Sequence, residues 1–124
     1  MLVRLRTTLT AAALFATLLV SQQALAHAHL ALATPADKSV ISDSPQAIVL
    51  TFTEGVEAGF SGASVKGPEG KTVETGKATV DSANAKVLNI PVESTLTAGD
   101  YSVNWHVLSV DGHKTKGTYR FTVK

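Results

Sequence analysis

The sequence predicts an all-β domain, a Greek-key sandwich or barrel of about seven strands with an immunoglobulin-like arrangement. From Leu30 onward, apolar and polar residues alternate with a period of two in segments rich in β-branched and aromatic residues. Gly, Pro, Asp and Asn separate these segments at the spacing typical of such folds. No stretch has a helical period long enough to compete, and there is no internal repeat.

Residues 1–26 precede this pattern and have the three parts of a cleaved secretory signal. Two arginines lie near the start, a largely apolar region covers residues 9–20, and Ala24-Leu25-Ala26 provides the small residues of a cleavage site. The apolar region is shorter than the ~20 residues that span a bilayer, which argues against an uncleaved membrane helix. We therefore expect cleavage after Ala26, export from the cytoplasm, and a single mature domain of residues 27–124.

Three segments show the strand alternation most clearly, and in each the apolar face is expected to form the core. The first is Ala47 to Thr53, the second Tyr101 to Leu108, and the third the end of the chain from Tyr119. The expected core residues are Ile48, Leu50, Phe52, Tyr101, Val103, Trp105, Val107, Tyr119, Phe121 and Val123.

Weaker patterns suggest four more strands. These are Leu30 to Thr34, Ala63 to Lys66, Thr72 to Glu74 and Val87 to Val92. The sequence Gly67-Pro68-Glu69-Gly70 predicts a hairpin turn between the second and third of them. Pro91 indicates an edge position for the last, because proline cannot donate to a strand ladder.

The composition of residues 27–124 limits what the domain can bind. Without Arg4 and Arg6, nine Lys and Arg face ten Asp and Glu, a formal charge of −1 with neutral His, so no nucleic-acid-binding face is indicated. The chain has no Cys, and its one Met is Met1. Disulfides and sulfur ligands for a metal are therefore excluded, and any metal must be held by nitrogen and oxygen.

Cleavage before His27 would create a chelate at the new amino terminus, because the α-amino nitrogen and the imidazole Nδ1 of one residue close a ring on a metal ion. Far downstream, Asp111-Gly112-His113 follows the strand that ends at Leu108. Residues two apart in an extended segment face the same side, and Gly112 permits a sharp turn between them. Asp-Gly is also a very common turn pair, so this tripeptide alone would equally suit a solvated loop.

Taken together, His27, Asp111 and His113 offer three nitrogens and one oxygen, a donor set that suits tetragonal Cu(II). Zinc would accept some of these donors, but it favours a tetrahedron and commonly recruits thiolate. We therefore predict that His27, Asp111 and His113 bind one Cu(II) per chain. His106 on the strand before the loop is expected at the surface or beside the site, and Glu54 is expected to be solvated.

A competing binding mode uses His29 instead. An amino terminus with histidine in the third position can wrap Cu(II) with its amine, two deprotonated backbone amides and that imidazole, and His29 is third after cleavage. This mode needs neither Asp111 nor His113. Early pairing of the strand from Leu30 would commit the backbone amides to a ladder and favour the folded site.

Several segments resemble the CopC family of periplasmic copper-binding proteins across the whole mature chain. They are His27-Ala28-His29-Leu30, Phe52-Thr53-Glu54-Gly55-Val56-Glu57, Gly59-Phe60-Ser61-Gly62-Ala63, and the run from Trp105 through Asp111-Gly112-His113 to Gly117. The resemblance implies a Greek-key fold of about seven strands and a Cu(II) site formed by the amine and ring of His27, Asp111 and His113. Some family members carry a methionine-rich Cu(I) loop, which this chain lacks, so it resembles the Cu(II)-only subtype.

The resemblance implies a monomeric, non-enzymatic carrier, buffer or chaperone of Cu(II) in copper homeostasis or resistance. An inner-membrane protein of the CopD type is the implied partner. Lys114 and Lys116 beside the loop could guide an acidic partner or could simply keep the surface soluble.

Two other classes of function stay open. A copper oxidase or monooxygenase also uses an amino-terminal histidine, but a catalytic metal keeps an exchangeable position that Asp111 would fill here. A structural interaction module would bind no copper tightly.

Overall fold

Two four-stranded sheets form the fold in the computed structural model, which describes residues 27–124. The proposed signal in residues 1–26 therefore lies outside the described part. The strands are β1 (Leu30–Thr34), β2 (Val40–Ile41), β3 (Ala47–Phe52), β4 (Gly62–Lys66), β5 (Thr79–Val80), β6 (Val87–Pro91), β7 (Gly99–Leu108) and β8 (Lys114–Val123). One sheet has the order β1-β3-β6-β5 and the other β2-β8-β7-β4. The prediction of an all-β sandwich is confirmed, with eight strands where about seven were expected.

The core lies between the two sheets and includes all the alternating residues predicted to be apolar and inward. Ile48, Leu50 and Phe52 of β3 are buried against the inward residues of β7 and β8. Phe52 and Trp105 pack edge to face with ring centroids 5.2 Å apart, and Tyr101 stacks on Phe121 at 5.4 Å. The long β7–β8 hairpin is continuous in register from Gly99↔Val123 to Leu108↔Lys114, so inward residues of the two strands alternate in phase.

The structure departs from the weaker predictions in three places. The two-residue strands β2 and β5 were not anticipated, because two residues cannot show an alternation. The segment Thr72 to Glu74 is not a strand but makes one isolated bridge, between Thr72 and Lys66, around the predicted turn. The edge prediction for Pro91 is wrong, because β6 lies between β3 and β5. The missing N–H of Pro91 is tolerated because β5 pairs only with Leu88 and Asn89 of β6 and does not extend to Pro91.

One end of the sandwich gathers the segments of interest. The loop that joins β7 to β8 lies there, and the residues that precede β1 cross to the same end, where Ala28 contacts Thr115 of β8. Within residues 27–124, none of the helical segments is long and apolar enough to cross a membrane.

Candidate metal centre

Two segments build the candidate centre. We call His27–His29 the N-terminal arm and Ser109–His113 the loop arm. The loop arm is tied to the sandwich on its outer side, because Val110 N–H donates to Gly55 O at 2.9 Å and Ser109 forms a bridge with Val56. The three predicted ligands therefore come from two segments that lie more than 80 residues apart in sequence and meet at one end of the fold.

The loop arm turns tightly around Ser109, which is only 1% exposed. Ser109 N–H donates to His113 O, and Gly112 N–H donates to Ser109 O, each at 2.9 Å. Gly112 adopts a φ of +92°, which a residue with a side chain rarely tolerates, so glycine is required for this turn. The Ser109 hydroxyl donates to Asp111 Oδ1 and accepts from His113 N–H at 3.2 Å. One buried hydroxyl thus fixes both ligand-bearing residues.

Asp111 and His113 face each other across this turn. His113 Nδ1 lies 3.1 Å from Asp111 Oδ1, and both side chains remain substantially exposed. The hydrogen bond from Ser109 lowers the pKa of Asp111 below its ordinary 3.8, with further lowering by the hydrogen bond and charge of His113 and a partial offset from desolvation. Asp111 is therefore held as a carboxylate, and the contact through Nδ1 leaves Nε2 of His113 available to a metal.

His27 approaches this pair from the N-terminal arm. Its ring packs edge to face on the ring of His113, with centroids 4.6 Å apart and an interplanar angle of 87°. Its Nδ1 is buried and has no hydrogen-bond partner among the described residues. A buried polar nitrogen without a partner is costly, and the atom concerned is the one that an amino-terminal chelate would use.

The N-terminal arm is anchored by the core and by two threonines. Ala28 is 0% exposed, and its carbonyl accepts from Thr115 Oγ1 at 2.8 Å. His29 N–H donates to Thr53 Oγ1 and Thr53 N–H donates to His29 O, both at 2.9 Å. The amide of His29 is therefore already committed, and the wrapped copper mode would have to break this hydrogen bond and expose Ala28.

The remaining candidates lie differently. His29 is exposed, and His106 lies on the outward face of β7 against Gly62 of β4. Glu54 is half-buried and makes no hydrogen bond in the described part. Ser109, Thr53 and Thr115 were not singled out from the sequence. Only Ser109 had a usable signal, since it lies two residues before Asp111 at the end of a buried strand.

The three predicted ligands are neighbours, but their side chains do not have the spacing of a metal cage. Within residues 27–124, no group of three His, Asp or Glu side chains has the spacing to hold a metal ion. Asp111 Oδ1 is engaged by Ser109 and His113, so its coordination requires its second oxygen or a small rotation. Chemically, the arrangement offers two imidazoles and a carboxylate at an exposed end, which fits a nitrogen and oxygen set for a divalent metal.

Comparison with known proteins connects this geometry to a family. The CopC domain matches residues 30–124. Protein YobA of Escherichia coli K12 is 47% identical over 114 residues, covering 92% of each chain. The structure of CopC from Methylosinus trichosporium OB3b is 36% identical with a TM-score of 0.74, covering 79% of this chain and 94% of that one. PcoC, a methionine-rich copper resistance protein from Escherichia coli, is 32% identical with a TM-score of 0.72, covering 80% and 100%.

Proposed function

The chain belongs to the CopC family, and on that premise we propose that it is a periplasmic protein that binds one Cu(II) ion and acts as a copper carrier or buffer. Similarity to a copper resistance protein supports the copper-related part of this function. The proposed ligands are the amine and Nδ1 of His27, together with Asp111 and His113.

The observation that carries the proposal is the buried Nδ1 of His27, which lacks a partner in the described part and lies beside the ring of His113. Cleavage after Ala26 would add an amino nitrogen on the same residue and complete the chelate. In the uncleaved chain that nitrogen is a peptide amide, which is a poor ligand.

Copper is favoured over zinc by the donor types. The chain offers no thiolate, and an amine with three further nitrogen and oxygen donors suits a tetragonal ion at the top of the divalent affinity order. The absence of Met beyond Met1 argues for Cu(II) rather than Cu(I), because Cu(I) selects soft thioethers.

The folded site is favoured over the wrapped terminal mode. Wrapping consumes the backbone amides of residues 28 and 29, and the second of these already donates to Thr53. It would also remove Ala28 from the core. The folded site leaves all of these contacts in place.

The number of proposed ligand atoms supports copper binding without catalysis. Two nitrogens from His27, one from His113 and one oxygen from Asp111 would fill the four strong positions of tetragonal Cu(II). A catalytic metal needs a position open to substrate or dioxygen. We therefore propose a carrier, buffer or chaperone role, with an inner-membrane protein of the CopD type as a candidate partner, and we propose that the protein is a monomer.

The test compares the chain that begins at His27 with a chain that carries one extra glycine before His27. Competition titration against a chromophoric Cu(II) chelator should show that the extension weakens binding at least about 100-fold, because it removes the amine from the chelate ring. The matched control adds the glycine after Lys124, which should leave affinity unchanged. Equal affinity of the two amino-terminal forms would contradict the proposed site.

A further inference from the structure

The outer edge of β8 is covered along only half of its length. Near its end, Lys38 N–H donates to Arg120 O at 2.6 Å, Thr122 N–H to Ser39 O at 2.9 Å, and Lys124 N–H to Ile41 O at 2.8 Å. The even-numbered residues of this region therefore direct their backbone groups away from β7 and toward the β2 segment. Since β8 pairs with β7 without a bulge, the same alternation holds back to Lys114.

The first half of β8 is an open edge. Lys114, Lys116 and Thr118 direct their N–H and C=O groups outward, and in the described part no strand pairs with them on that side. β1 is the edge strand of the other sheet and pairs only with β3. The sandwich is consequently open between β1 and the first half of β8.

A groove of about 420 Å³ lies in this opening and has an apolar floor. Trp105 forms part of the floor, and its indole is open to the groove because Gly117 has no side chain. A Cβ at position 117 would lie 2.5 Å from the indole. Leu32 on the β1 side is 68% exposed. Tyr119 also lines the groove, and its hydroxyl is buried without a hydrogen-bond partner among residues 27–124.

The charges beside this edge select the occupant. Lys114 and Lys116 project from the outward face of β8, and their neighbours across the ladder on β7 are Leu108 and His106, so no carboxylate on β7 faces them. The carboxylate that lines the groove, Asp37, accepts from Arg120 N–H at 3.2 Å on the covered half of β8. A second copy pairing with the same edge would bring lysines close to lysines, which is unfavourable. A strand with carboxylates at the facing positions would instead form cross-strand ion pairs.

We infer that the open edge at Lys114–Thr118 binds an extended segment of a partner protein by strand addition. Such a segment alternates acidic residues, which face Lys114 and Lys116, with apolar residues, which enter the groove over Trp105. Because β8 begins directly after His113, the docked segment would run up to the candidate metal centre. This inference goes beyond the proposed function, since the docking requires no copper.

The test uses metal-free protein and a synthetic ten-residue peptide of alternating Glu and Val as the probe. Amide exchange followed by NMR should show about tenfold or greater protection of the amides of Lys114, Lys116 and Thr118 when peptide is added. The same peptide N-methylated at alternate residues on one edge, which keeps charge and composition but cannot pair, should give none. A Lys-Val peptide should bind at least about tenfold more weakly, because its charge is reversed.

Two substitutions at one position separate charge from hydrogen bonding. Lys116→Thr removes only the charge, whereas Lys116→Pro also removes the outward N–H, which an edge position tolerates. Lys116→Pro should bind the Glu-Val peptide about tenfold more weakly than Lys116→Thr, the loss of roughly one good hydrogen bond. Thermal unfolding of both variants reports whether each is folded.

Three results would overturn the inference. These are no added protection along β8 at millimolar Glu-Val peptide, equal protection by the N-methylated peptide, or equal affinity of Lys116→Pro and Lys116→Thr. Concentration-dependent dimerisation that protects the same amides without peptide would assign the edge to a second copy instead. Copper titration is not involved, so failure here leaves the proposed metal site untouched.

Discussion

The N-terminal arm and the loop arm of the candidate centre are held by different means. Burial of Ala28 and hydrogen bonds to Thr53 and Thr115 fix the first arm to the sandwich. The loop arm is largely exposed, and its ligand-bearing residues converge on the single hydroxyl of Ser109. The N-terminal arm is therefore coupled to burial in the core, whereas the two ligand-bearing residues of the loop arm share one hydroxyl as an anchor, and substitutions should separate the two.

The largest effect is expected from removing a ligand of the loop arm. His113→Ala and Asp111→Ala should each weaken Cu(II) binding by about 100-fold or more in a competition titration, since loss of an outer partner alone commonly costs 10–100-fold. His106→Ala is the matched control, because it removes an imidazole from the neighbouring strand on the outward face. Equal affinities for all three variants would remove the loop arm from the site.

Ser109→Ala tests whether one hydroxyl positions the loop arm. We expect Cu(II) affinity to fall about tenfold and the Cu(II) EPR spectrum to change, because Asp111 and His113 lose their common anchor. Ser61→Ala is the control: Ser61 is also buried and accepts one hydrogen bond, from Leu108 N–H, but contacts neither ligand. Ser61→Ala should lose about 1 kcal/mol of unfolding free energy and Ser109→Ala about 2 kcal/mol, because the Ser109 hydroxyl makes more hydrogen bonds, whereas affinity should fall only in Ser109→Ala. A parallel loss of affinity in both would show a merely structural role.

Ala28→Gly tests the anchoring of the N-terminal arm. In metal-free protein, denaturant unfolding should show a loss of free energy that exceeds that of Ala31→Gly by about 1 kcal/mol, because only the first removes a buried methyl group. Ala31 is exposed in β1 and carries the same backbone cost of glycine. If the two substitutions cost the same, Ala28 does not hold the arm.

His29→Ala should have the smallest effect. Its side chain is exposed and its backbone amide, which donates to Thr53, is retained in the variant. Cu(II) affinity should change less than about twofold, below the ~1.4 kcal/mol that a tenfold change represents. A loss comparable to that of His113→Ala would instead favour the wrapped terminal mode.

The fold was predictable wherever alternation was long enough to see. Tyr101 to Val107 in β7 and Ile48 to Phe52 in β3 have the predicted inward faces. β2 and β5 escaped prediction because each contains two residues, too few to show an alternation. The edge position predicted from Pro91 was wrong because the neighbouring strand β5 is too short to reach Pro91. The length of a paired strand is not encoded in the local sequence around the proline.

The candidate site was predictable in its members but not in its supports. Residue chemistry singled out His27, Asp111 and His113, and the structure brings them to one end of the sandwich. Thr53 and Thr115 act through hydrogen bonds that span 24 and 87 residues, and no local pattern encodes such contacts. Sequence also could not show that Asp111 and His113 contact each other.

Pulsed EPR on the chain that begins at His27, loaded with one equivalent of Cu(II) and labelled with ¹⁵N-histidine, tests the proposed ligands most directly. The expected result is coordination by two imidazoles and the terminal amine, with one imidazole signal lost in His113→Ala and none in His29→Ala. A spectrum of one imidazole and deprotonated backbone amides, unchanged by His113→Ala and abolished by His29→Ala, would contradict the folded site.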